Sequence, residues 1–316
     1  MGIRWGIIGA AMIAKNKVMP AIEANGGTIQ AIASRSQPVD ELVKRYHIRE
    51  IYKDYRQLLA SKSVDAVYIA LPNSMHYMWI IEAIRRGKHV LIEKPIVLSL
   101  EQIEDIKKLA EQHNIVVMEA FMYRFHPQIE AAKRMLQDGE IGDIVAMRSQ
   151  FHFVLEDWER DIRITPMLGG GVLYDIGCYC INIQQYMLGE QVYEAKFISE
   201  WHNEVDVKVS GLVQYESGIV GQIDCSFSGS FTETFDVIGS EGMLRLPHAF
   251  RTDMNGHTGV IELYKEQDME RHYYEGDAYQ LQIEHFEQVV AGAEPHYSLA
   301  DMLAQTKALT ELYKKL

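Results

Sequence analysis

Cysteine is scarce in this sequence of 316 residues. The three cysteines, Cys178, Cys180 and Cys225, are too few to form a disulfide framework for a chain of this length. Cys178 and Cys180 also lack the second cysteine pair that would complete a zinc site. We therefore expect reduced thiols, no metal site and a location in a reducing compartment.

Basic clusters and long apolar runs are lacking as well. The formal net charge is −13, whereas nucleic-acid binding depends on lysine and arginine side chains that neutralise phosphates. No run approaches the roughly 20 apolar residues of a membrane span. The N-terminus leads straight into an apolar strand at residues 3–8 with no leader pattern before it. We therefore expect a cytoplasmic protein with neither a nucleic-acid nor a membrane partner.

Strand and helix patterns alternate through the first 120 residues. Apolar strand patterns at residues 4–9, 28–33, 64–71 and 89–92 are separated by helix patterns at 12–25, 40–46 and 75–86. Buried strands separated by helices indicate βαβ units and a parallel sheet with helices on both faces. The pattern predicts an α/β, doubly wound Rossmann domain over residues 1–122.

The remaining sequence is rich in alternating strands. Residues 144–154, 192–202, 207–215 and 219–228 alternate apolar and polar side chains, and a helix pattern at 172–188 follows three consecutive glycines. Such alternation is typical of an antiparallel sheet that is covered on one side only. We predict an α+β substrate-binding domain over residues 123–316 with an open-faced, mostly antiparallel sheet. An apolar open face would favour a homodimer, or a dimer of dimers, joined through residues 144–154 and 207–228 of this sheet.

The turn between the first strand and the first helix has the pattern of a dinucleotide site. Gly9 permits a tight turn, Ala11 lies where the backbone approaches a pyrophosphate, and Ala14 allows close packing of helix on sheet. Met12 and Ile13 open the helix whose N–H groups would face the phosphates. Small residues in such a turn also serve packing alone, but the place of this turn in a long βαβ series favours cofactor binding.

The end of the second strand indicates which dinucleotide binds. An NAD site carries an acidic residue there for the ribose 2′-hydroxyl, about 20 residues past the glycines. This chain has Ser34 and Arg35, and no acid before Asp40. An arginine fork pairs well with a 2′-phosphate, although a solvated surface arginine is the plainer alternative. The sequence favours NADP(H), with NAD(H) as the second possibility.

A lysine lies at the expected ligand-binding edge of the parallel sheet. Glu93-Lys94-Pro95 follows the strand at residues 89–92, and a residue before proline is held extended. A surface lysine paired with a carboxylate is the alternative. If Lys94 faces a ligand, the nicotinamide should lie across the strand ends, near Leu71, Pro72, Asn73, His76, Glu93 and Lys94.

A polar stripe marks the helix after the three glycines. Asp175, Tyr179 and Asn182 are spaced four and three apart, which places them on one helical face among apolar neighbours. The alternative is structural: Asp175 pairs with a nearby lysine, and Tyr179 packs in the core with its hydroxyl satisfied.

Six stretches carry a resemblance to the Gfo/Idh/MocA oxidoreductase family over nearly the whole chain. They read WGIIGAAMIA, DAVYIALPNSMH, HVLIEKP, MEAFMYRFHP, GEIGDI and GGGVLYDIGCY. The resemblance implies a Rossmann domain followed by an open-faced sheet domain that packs against a partner subunit. It also implies that the lysine of the Glu-Lys-Pro motif, Lys94, is catalytic.

Two differences from the usual motifs of that family indicate a particular branch within it. Most members end the Asp-x-Gly-x-His motif with histidine, but this chain has Tyr179 there and Ala11 in place of the second glycine. Both features resemble the branch that contains dimeric dihydrodiol dehydrogenase and NADP-dependent D-xylose dehydrogenase, in which a tyrosine is the acid/base. The resemblance implies NADP(H)-dependent hydride transfer at a CH–OH or C=O carbon of a small sugar, polyol or diol. Asp175 would orient a substrate hydroxyl or Lys94.

The remaining expectations are less specific. Substrate contacts are expected from side chains between the domains and near the three glycines, namely Arg124, His126, Trp158, Arg163 and Asn182. For His126 a structural role is an equal alternative, because it could start a helix before Pro127. Two other functions are open, a dinucleotide-bound regulator without turnover and an NAD-dependent glycosidase of the same fold. The presence of both Lys94 and Tyr179 argues against the first, and Arg35 argues against the second.

Overall fold

A computed structural model of the protein describes residues 2–316. Parallel strands form a six-stranded sheet within the described part of the first half, in the order β3-β2-β1-β4-β5-β6. This is the strand order of doubly wound dinucleotide-binding folds, and it confirms the predicted parallel sheet. The strands are β1 (Arg4–Ile8), β2 (Thr28–Ala33), β3 (Glu50–Tyr52), β4 (Ala66–Ile69), β5 (His89–Ile92) and β6 (Val117–Glu119).

Helices connect these strands and begin and end at recognisable residues. The side chains of Asp54 and Ser99 cap two of them by accepting hydrogen bonds from the N–H groups of Arg56 and Gln102. Asn114, in a left-handed conformation, ends the longest one. The first helix is preceded by a π-helical turn, Ala14–Val18. The helices are α1 (Met19–Ala24), α2 (Asp40–Tyr46), α3 (Tyr55–Ala60), α4 (His76–Arg85) and α5 (Leu100–His113).

An eight-stranded sheet makes up most of the remainder of the described residues. Its order is β14-β13-β12-β11-β7-β10-β9-β8, and its neighbouring strands are antiparallel except for the parallel pair β10 and β7. This confirms the predicted mostly antiparallel sheet. The strands are β7 (Ile144–Val154), β8 (Val192–His202), β9 (Val205–Tyr215), β10 (Val220–Ser226), β11 (Ser228–Gly239), β12 (Met243–Leu246), β13 (Thr258–Lys265) and β14 (Asp268–Glu275).

One face of this sheet is covered by α6 (Pro127–Gln137) and α7 (Cys178–Leu188). Gln184 on α7 is fully buried and links the helix to three strands. Its amide group donates to Ser149 Oγ at 2.6 Å and to the Gln222 carbonyl at 3.0 Å, and it accepts from the Tyr215 hydroxyl at 2.9 Å. These bonds fix the position of α7, which carries Tyr179.

The opposite face of the sheet is mixed rather than apolar. Register partners share a face, so Gln150, Asp224, Ser210 and Ile198 form one row across four strands. Ile198 is 81% exposed, but its row is otherwise polar. The open face therefore carries exposed apolar side chains among polar ones and is not the continuous apolar surface that the sequence pattern predicted.

The chain divides into two compact units, and the last helices depart from the expected division. The first unit runs to Phe121 and includes Tyr279–Thr306, while the second comprises Met122–Ala278 and Lys307–Leu316. The last helices are α8 (Ala278–Val290) and α9 (Leu299–Tyr313). The sequence pattern predicted a domain boundary between residues 122 and 123, which assigned both of these helices to the second domain. Trp5 in β1 explains the difference, because its indole donates to Glu287 at 2.9 Å and its ring lies 5.1 Å from that of Phe286.

Over residues 2–316, no helix combines the length and the apolar character that crossing a membrane requires.

Candidate active site

The carboxyl ends of the parallel strands bring the expected cofactor residues to one edge of the first unit. Gly9, Ser34 and Glu93 follow directly on β1, β2 and β5. Hydrogen bonds continue the ladder beyond the strands, from Gly9 N–H to the Ala33 carbonyl at 2.9 Å and from Glu93 N–H to the Ile69 carbonyl at 3.1 Å. The strand order reverses beside β1, and ligands bind at such a switch point in open α/β sheets.

The turn after β1 can be made only by glycine. Gly9 has a φ of +91°, and a Cβ atom there would lie 2.3 Å from the carbonyl oxygen of Ala70. Ala14 is fully buried against the sheet, whereas Ala11 and Met12 are exposed and Ile13 is half-buried. The turn therefore leaves backbone and small side chains open at the start of the helix, which suits the phosphates of a dinucleotide.

The Arg35 side chain packs against two aromatic rings beside this turn. Its exposed guanidinium is 4.5 Å from the ring centre of Tyr55 and 5.6 Å from that of Trp79. Stacking orients the planar group and leaves its N–H donors at the edges for a phosphate. Ser34 is buried and shapes the loop instead, because its hydroxyl donates to the Gln37 carbonyl at 2.8 Å. No local sequence pattern indicated Tyr55 and Trp79, which come from α3 and α4.

The segment after β4 is held by a buried histidine. Leu71, Pro72 and Asn73 are half-buried at the edge, but His76 is fully buried. The His76 ring nitrogens lie 2.9 Å from the Pro95 carbonyl and 2.8 Å from the Leu71 carbonyl. Burial lowers the pKa of His76. The buried ring lies between these two carbonyl oxygens, and the single N–H of a neutral imidazole donates to one of them. The structure therefore shows His76 supporting the backbone at this edge, whereas the sequence predicted a direct cofactor contact.

Lys94 lies in a loop that several side chains hold in place. It is half-buried, and its peptide bond with Pro95 is cis. The preceding Glu93 accepts a hydrogen bond from the hydroxyl of Tyr68 in β4. The N–H of Ile96 donates to Glu119 Oε1 at 2.7 Å. The structure therefore places Lys94 at the same edge as Gly9 and Arg35.

Tyr179 belongs to the second unit and is surrounded there by aromatic rings. It is 6% exposed, and its ring centre lies 5.4–5.8 Å from those of Phe250, Phe151 and Tyr123. Its hydroxyl is 3.7 Å from the sulfur of Met122. The aromatic rings come from separate segments of the chain, so no local sequence pattern could have indicated this cage.

Asp175 and Tyr179 contact different groups. Asp175 lies in a π-helical turn, Leu173–Gly177, which breaks the regular spacing ahead of α7. Its carboxylate accepts from Arg163 Nε at 2.7 Å, and Asp161 pairs with the same guanidinium at 3.2 Å. These two carboxylates raise the pKa of Arg163. The single polar face expected from the sequence is therefore divided, and Asp175 pairs with an arginine rather than a lysine.

The other expected substrate residues have partners within the second unit. Asn182 is buried and accepts from the Tyr123 hydroxyl at 2.5 Å and from Arg124 Nη1 at 3.5 Å. His126 caps α6, because its Nδ1 accepts from the Gln128 N–H at 3.3 Å, and burial lowers its pKa. These contacts account for Asn182 and His126 without a ligand, and for His126 they match the helix-start interpretation. Trp158 meets His202 edge-on at 5.5 Å.

Comparison with known proteins follows the same division of the chain. Residues 3–121 match the model of an oxidoreductase family with an NAD-binding Rossmann fold, and residues 129–245 match the GFO/IDH/MocA C-terminal domain. The chain belongs to the Gfo/Idh/MocA family of oxidoreductases. This confirms the family, the fold class and the enzyme class that the sequence motifs indicated.

Individual relatives of this family member are similar along most of their length. A D-xylose 1-dehydrogenase (NADP(+)) from Haloferax volcanii is 34% identical, with 98% of this chain and 96% of the relative covered. A mouse trans-1,2-dihydrobenzene-1,2-diol dehydrogenase is 30% identical, with 78% and 75% covered. The crystal structure of KijD10, a 3-ketoreductase from Actinomadura kijaniata in complex with NADP and TDP-benzene, is 31% identical. It has a TM-score of 0.90, with 98% of this chain and 96% of that chain covered.

Proposed function

We propose that this chain is an NADP(H)-dependent oxidoreductase that acts on a hydroxyl or carbonyl carbon of a small sugar or sugar-like molecule. Lys94 and Tyr179 form its acid–base pair. The observation that carries this proposal is the edge of the parallel sheet, where Lys94 follows β5 beside the Gly9 turn and the stacked Arg35. A catalytic cation, a phosphate-binding turn and an arginine suited to a 2′-phosphate thus share one ligand-binding edge.

The residues at this edge fit NADP(H) by shape and by charge. Backbone N–H groups at the Gly9 turn would hold the pyrophosphate, and Arg35 would pair with the 2′-phosphate. The segment Leu71–Asn73 and the Lys94 loop would flank the nicotinamide. When bound, the nicotinamide supplies or accepts a hydride at the substrate carbon. The chain contributes position, charge and a proton carrier.

Tyr179 needs a nearby cation to exchange a proton near neutral pH. A free tyrosine has a pKa near 10, and an apolar environment such as the aromatic cage further disfavours the charged phenolate. A lysine ammonium close to the hydroxyl has the opposite effect. In oxidation, Tyr179 takes the proton of the substrate hydroxyl. In reduction, Tyr179 returns a proton to the carbonyl oxygen while Lys94 polarises it.

Asp175 acts indirectly in this scheme. Its pairing with Arg163 fixes the π-helical turn that leads into the helix of Tyr179. We therefore treat Asp175 as a positioning residue rather than a catalytic one.

The relatives support the choice of cofactor and substrate class. They include an NADP⁺-dependent D-xylose dehydrogenase and a 3-ketoreductase solved with NADP. Further structures of that ketoreductase carry replacements of one lysine by glutamate or alanine and of one tyrosine by phenylalanine. The choice of these replacements fits a lysine and a tyrosine at the reaction centre, in line with the pair proposed here.

The experiment is a turnover screen with purified protein. D-xylose, other aldoses, inositols and dihydrodiols are offered with NADP⁺, and keto sugars and dicarbonyls with NADPH, while reduced nicotinamide is followed by absorbance. Stoichiometric consumption of the cofactor supports the proposal. NADPH binding without turnover of any compound would instead favour a regulator, and glycoside cleavage with the cofactor unchanged would favour a glycosidase.

A further inference from the structure

The backbone that follows Lys94 is held by two buried side chains. His76 contacts the carbonyl of Pro95, and Glu119 accepts from the N–H of Ile96. Both side chains are fully buried. The two residues after Lys94 therefore contact the interior of the first unit through the Pro95 carbonyl, which lies against His76, and through the Ile96 N–H, which donates to Glu119.

Glu119 has a second partner that comes from the far end of the chain. The hydroxyl of Tyr297 donates to Glu119 Oε2 at 2.8 Å, while Oε1 accepts from Ile96. Tyr297 is 1% exposed, and its ring lies 6.0 Å from that of Phe121. Tyr297 belongs to the segment Tyr279–Thr306, which is part of the first unit.

A carboxylate at this buried position requires hydrogen-bond donors for both of its oxygens. A buried charge is unfavourable unless hydrogen bonds compensate it, and each oxygen of Glu119 has a donor. Burial of an apolar side chain would avoid that requirement, but it would leave the Ile96 N–H without this acceptor. What the carboxylate adds is a directional anchor for the loop, two residues from Lys94.

We propose that Glu119 and Tyr297 are positioning residues for Lys94. Glu119 fixes the backbone after the lysine, Tyr297 fixes the carboxylate of Glu119, and the C-terminal segment thereby sets the geometry of the catalytic loop. This inference rests on the proposed role of Lys94 as the cation that acts on Tyr179. It goes beyond that role by assigning a function to the docking of residues 279–306.

Four variants of the full chain test the inference. Glu119→Met has a similar volume but no acceptor, whereas Glu119→Gln keeps an oxygen that can accept from Ile96. Tyr297→Phe removes only the outer hydrogen bond. Tyr77→Phe is the matched control, because its hydroxyl also donates to a carboxylate, Asp105 at 3.0 Å, elsewhere in the same unit.

Two readouts separate positioning from a merely structural effect. Hydrogen–deuterium exchange of the peptide that spans residues 93–97 reports on the loop and needs no substrate. The pH profile of kcat for oxidation of the fastest substrate in the turnover screen reports on the cation, because a displaced Lys94 lowers the pKa of Tyr179 less. Melting temperature and NADPH affinity are measured alongside.

The inference predicts a graded series. Glu119→Met should speed exchange at residues 93–97, lower kcat by about 10–100-fold and move the apparent pKa of oxidation upward, because displacement by about 1 Å has effects of this size. Glu119→Gln should restore most of the rate, Tyr297→Phe should lie between the two, and Tyr77→Phe should match the parent. NADPH affinity should stay within about threefold, since Arg35 is untouched.

Lys94→Ala and Tyr179→Phe are measured in parallel. They distinguish failure of the proposed acid–base pair from failure of the positioning role of Glu119 and Tyr297. If these two variants keep the parent rate, the acid–base pair itself is wrong. If they lose rate but Glu119→Met leaves both loop exchange and the pH profile of kcat unchanged, Glu119 has only a structural role and the positioning inference is overturned.

Discussion

Arg35 is the residue on which cofactor choice depends. Its guanidinium is stacked on Tyr55 and Trp79, so it is oriented before a ligand arrives. A charge-assisted bidentate pair contributes about 1.5–3 kcal/mol, which corresponds to at least about tenfold in affinity. Arg35→Ala should therefore weaken NADPH binding by about tenfold or more and leave NADH binding nearly unchanged, as measured by fluorescence titration.

Arg45→Ala is the control for that measurement. Arg45 lies in the same unit and also stacks on a tyrosine, with 4.8 Å between its guanidinium and the ring centre of Tyr46. It should leave both affinities at the parent values. Equal affinities of the parent for NADPH and NADH would show that Arg35 does not read the 2′-phosphate.

Gly9 provides a second test at this scale. Replacement by alanine places an L-residue at a φ of +91°, which costs about 1–2 kcal/mol, and adds a Cβ atom 2.3 Å from the Ala70 carbonyl oxygen. Gly26 also has a positive φ, +72°, but open space around its Cβ position. Gly9→Ala should thus lower the melting temperature more than Gly26→Ala and also abolish NADPH binding. Equal effects of the two substitutions would contradict the close approach.

Single residues were predictable from sequence where their role is local. Gly9, Arg35 and Lys94 lie within two residues of strand ends, so strand patterns and a following proline sufficed to place them at one edge. The partners that hold them come from distant segments, as Trp79 does for Arg35 and Glu119 for the Lys94 loop. A single sequence carries no local mark of such tertiary contacts.

At the scale of elements, the π-helical turn before α7 depends on a buried carboxylate. Asp206 in β9 accepts from the N–H of Leu173 at 2.7 Å at the start of that turn. Burial raises the pKa of Asp206 from 3.8 to about 7. Between these pH values the folded protein retains a proton that the unfolded chain has lost. The stability that Asp206 contributes is therefore full below about pH 4 and is lost as the pH rises through 7.

Asp206→Asn removes this titration and keeps an oxygen that can accept from Leu173. Between pH 5 and pH 8 the parent should lose about 2–3 kcal/mol of stability relative to the variant. Urea unfolding at both pH values measures the difference. Asp268→Asn, at an exposed position of β14, should follow the parent, and a parent–Asp206→Asn difference that is constant with pH would refute the account.

Elements were predicted best where periodicity is long and simple. Apart from β3, the parallel strands and α7 matched their patterns, because buried runs and a glycine-bounded helix are strong local features. The short β3, the edge strand β14 and its neighbour β13 were missed. Three residues are too few to show a period, and the exposed β14 carries charged side chains on both faces. The π-helical turn changed which groups Asp175 contacts, and residue spacing alone does not reveal such a turn.

At the scale of the whole molecule, the division into units depends on contacts between the chain ends. Hydrogen bonds from Trp5 to Glu287 and from Tyr297 to Glu119 tie residues 279–306 to the first unit. The change near residue 122, from alternating strand and helix patterns to mainly strand patterns, indicated where the first sheet ends. It could not show that a later segment returns to that sheet.

We also propose, as a property of the whole molecule, that the chain assembles through the open face of the eight-stranded sheet as a homodimer or a dimer of dimers. Ile198 and Leu212 are 81% and 53% exposed on that face, and a two-fold contact would remove both side chains from water. Light scattering at micromolar concentration should give at least a dimer mass, and Ile198→Asp with Leu212→Asp should give a monomer.

Met167→Asp is the control for assembly. Met167 is 85% exposed but lies outside the sheet, so its replacement should leave the mass unchanged. A monomer mass for the parent would rule out this assembly under the conditions of the experiment.

The Lys94–Tyr179 pair is the central claim, and a double-mutant cycle on turnover tests it most directly. Tyr179→Phe keeps the ring in its aromatic cage but removes the group that carries the proton. Turnover should fall by about 10²–10⁴, while melting temperature and NADPH affinity change little. Lys94→Ala should also lower turnover, and the double variant should lose far less than the product of the two effects because the groups act as a unit. A Tyr179→Phe protein that keeps turnover within about threefold of the parent would contradict the account, since general acid–base catalysis contributes far more than that.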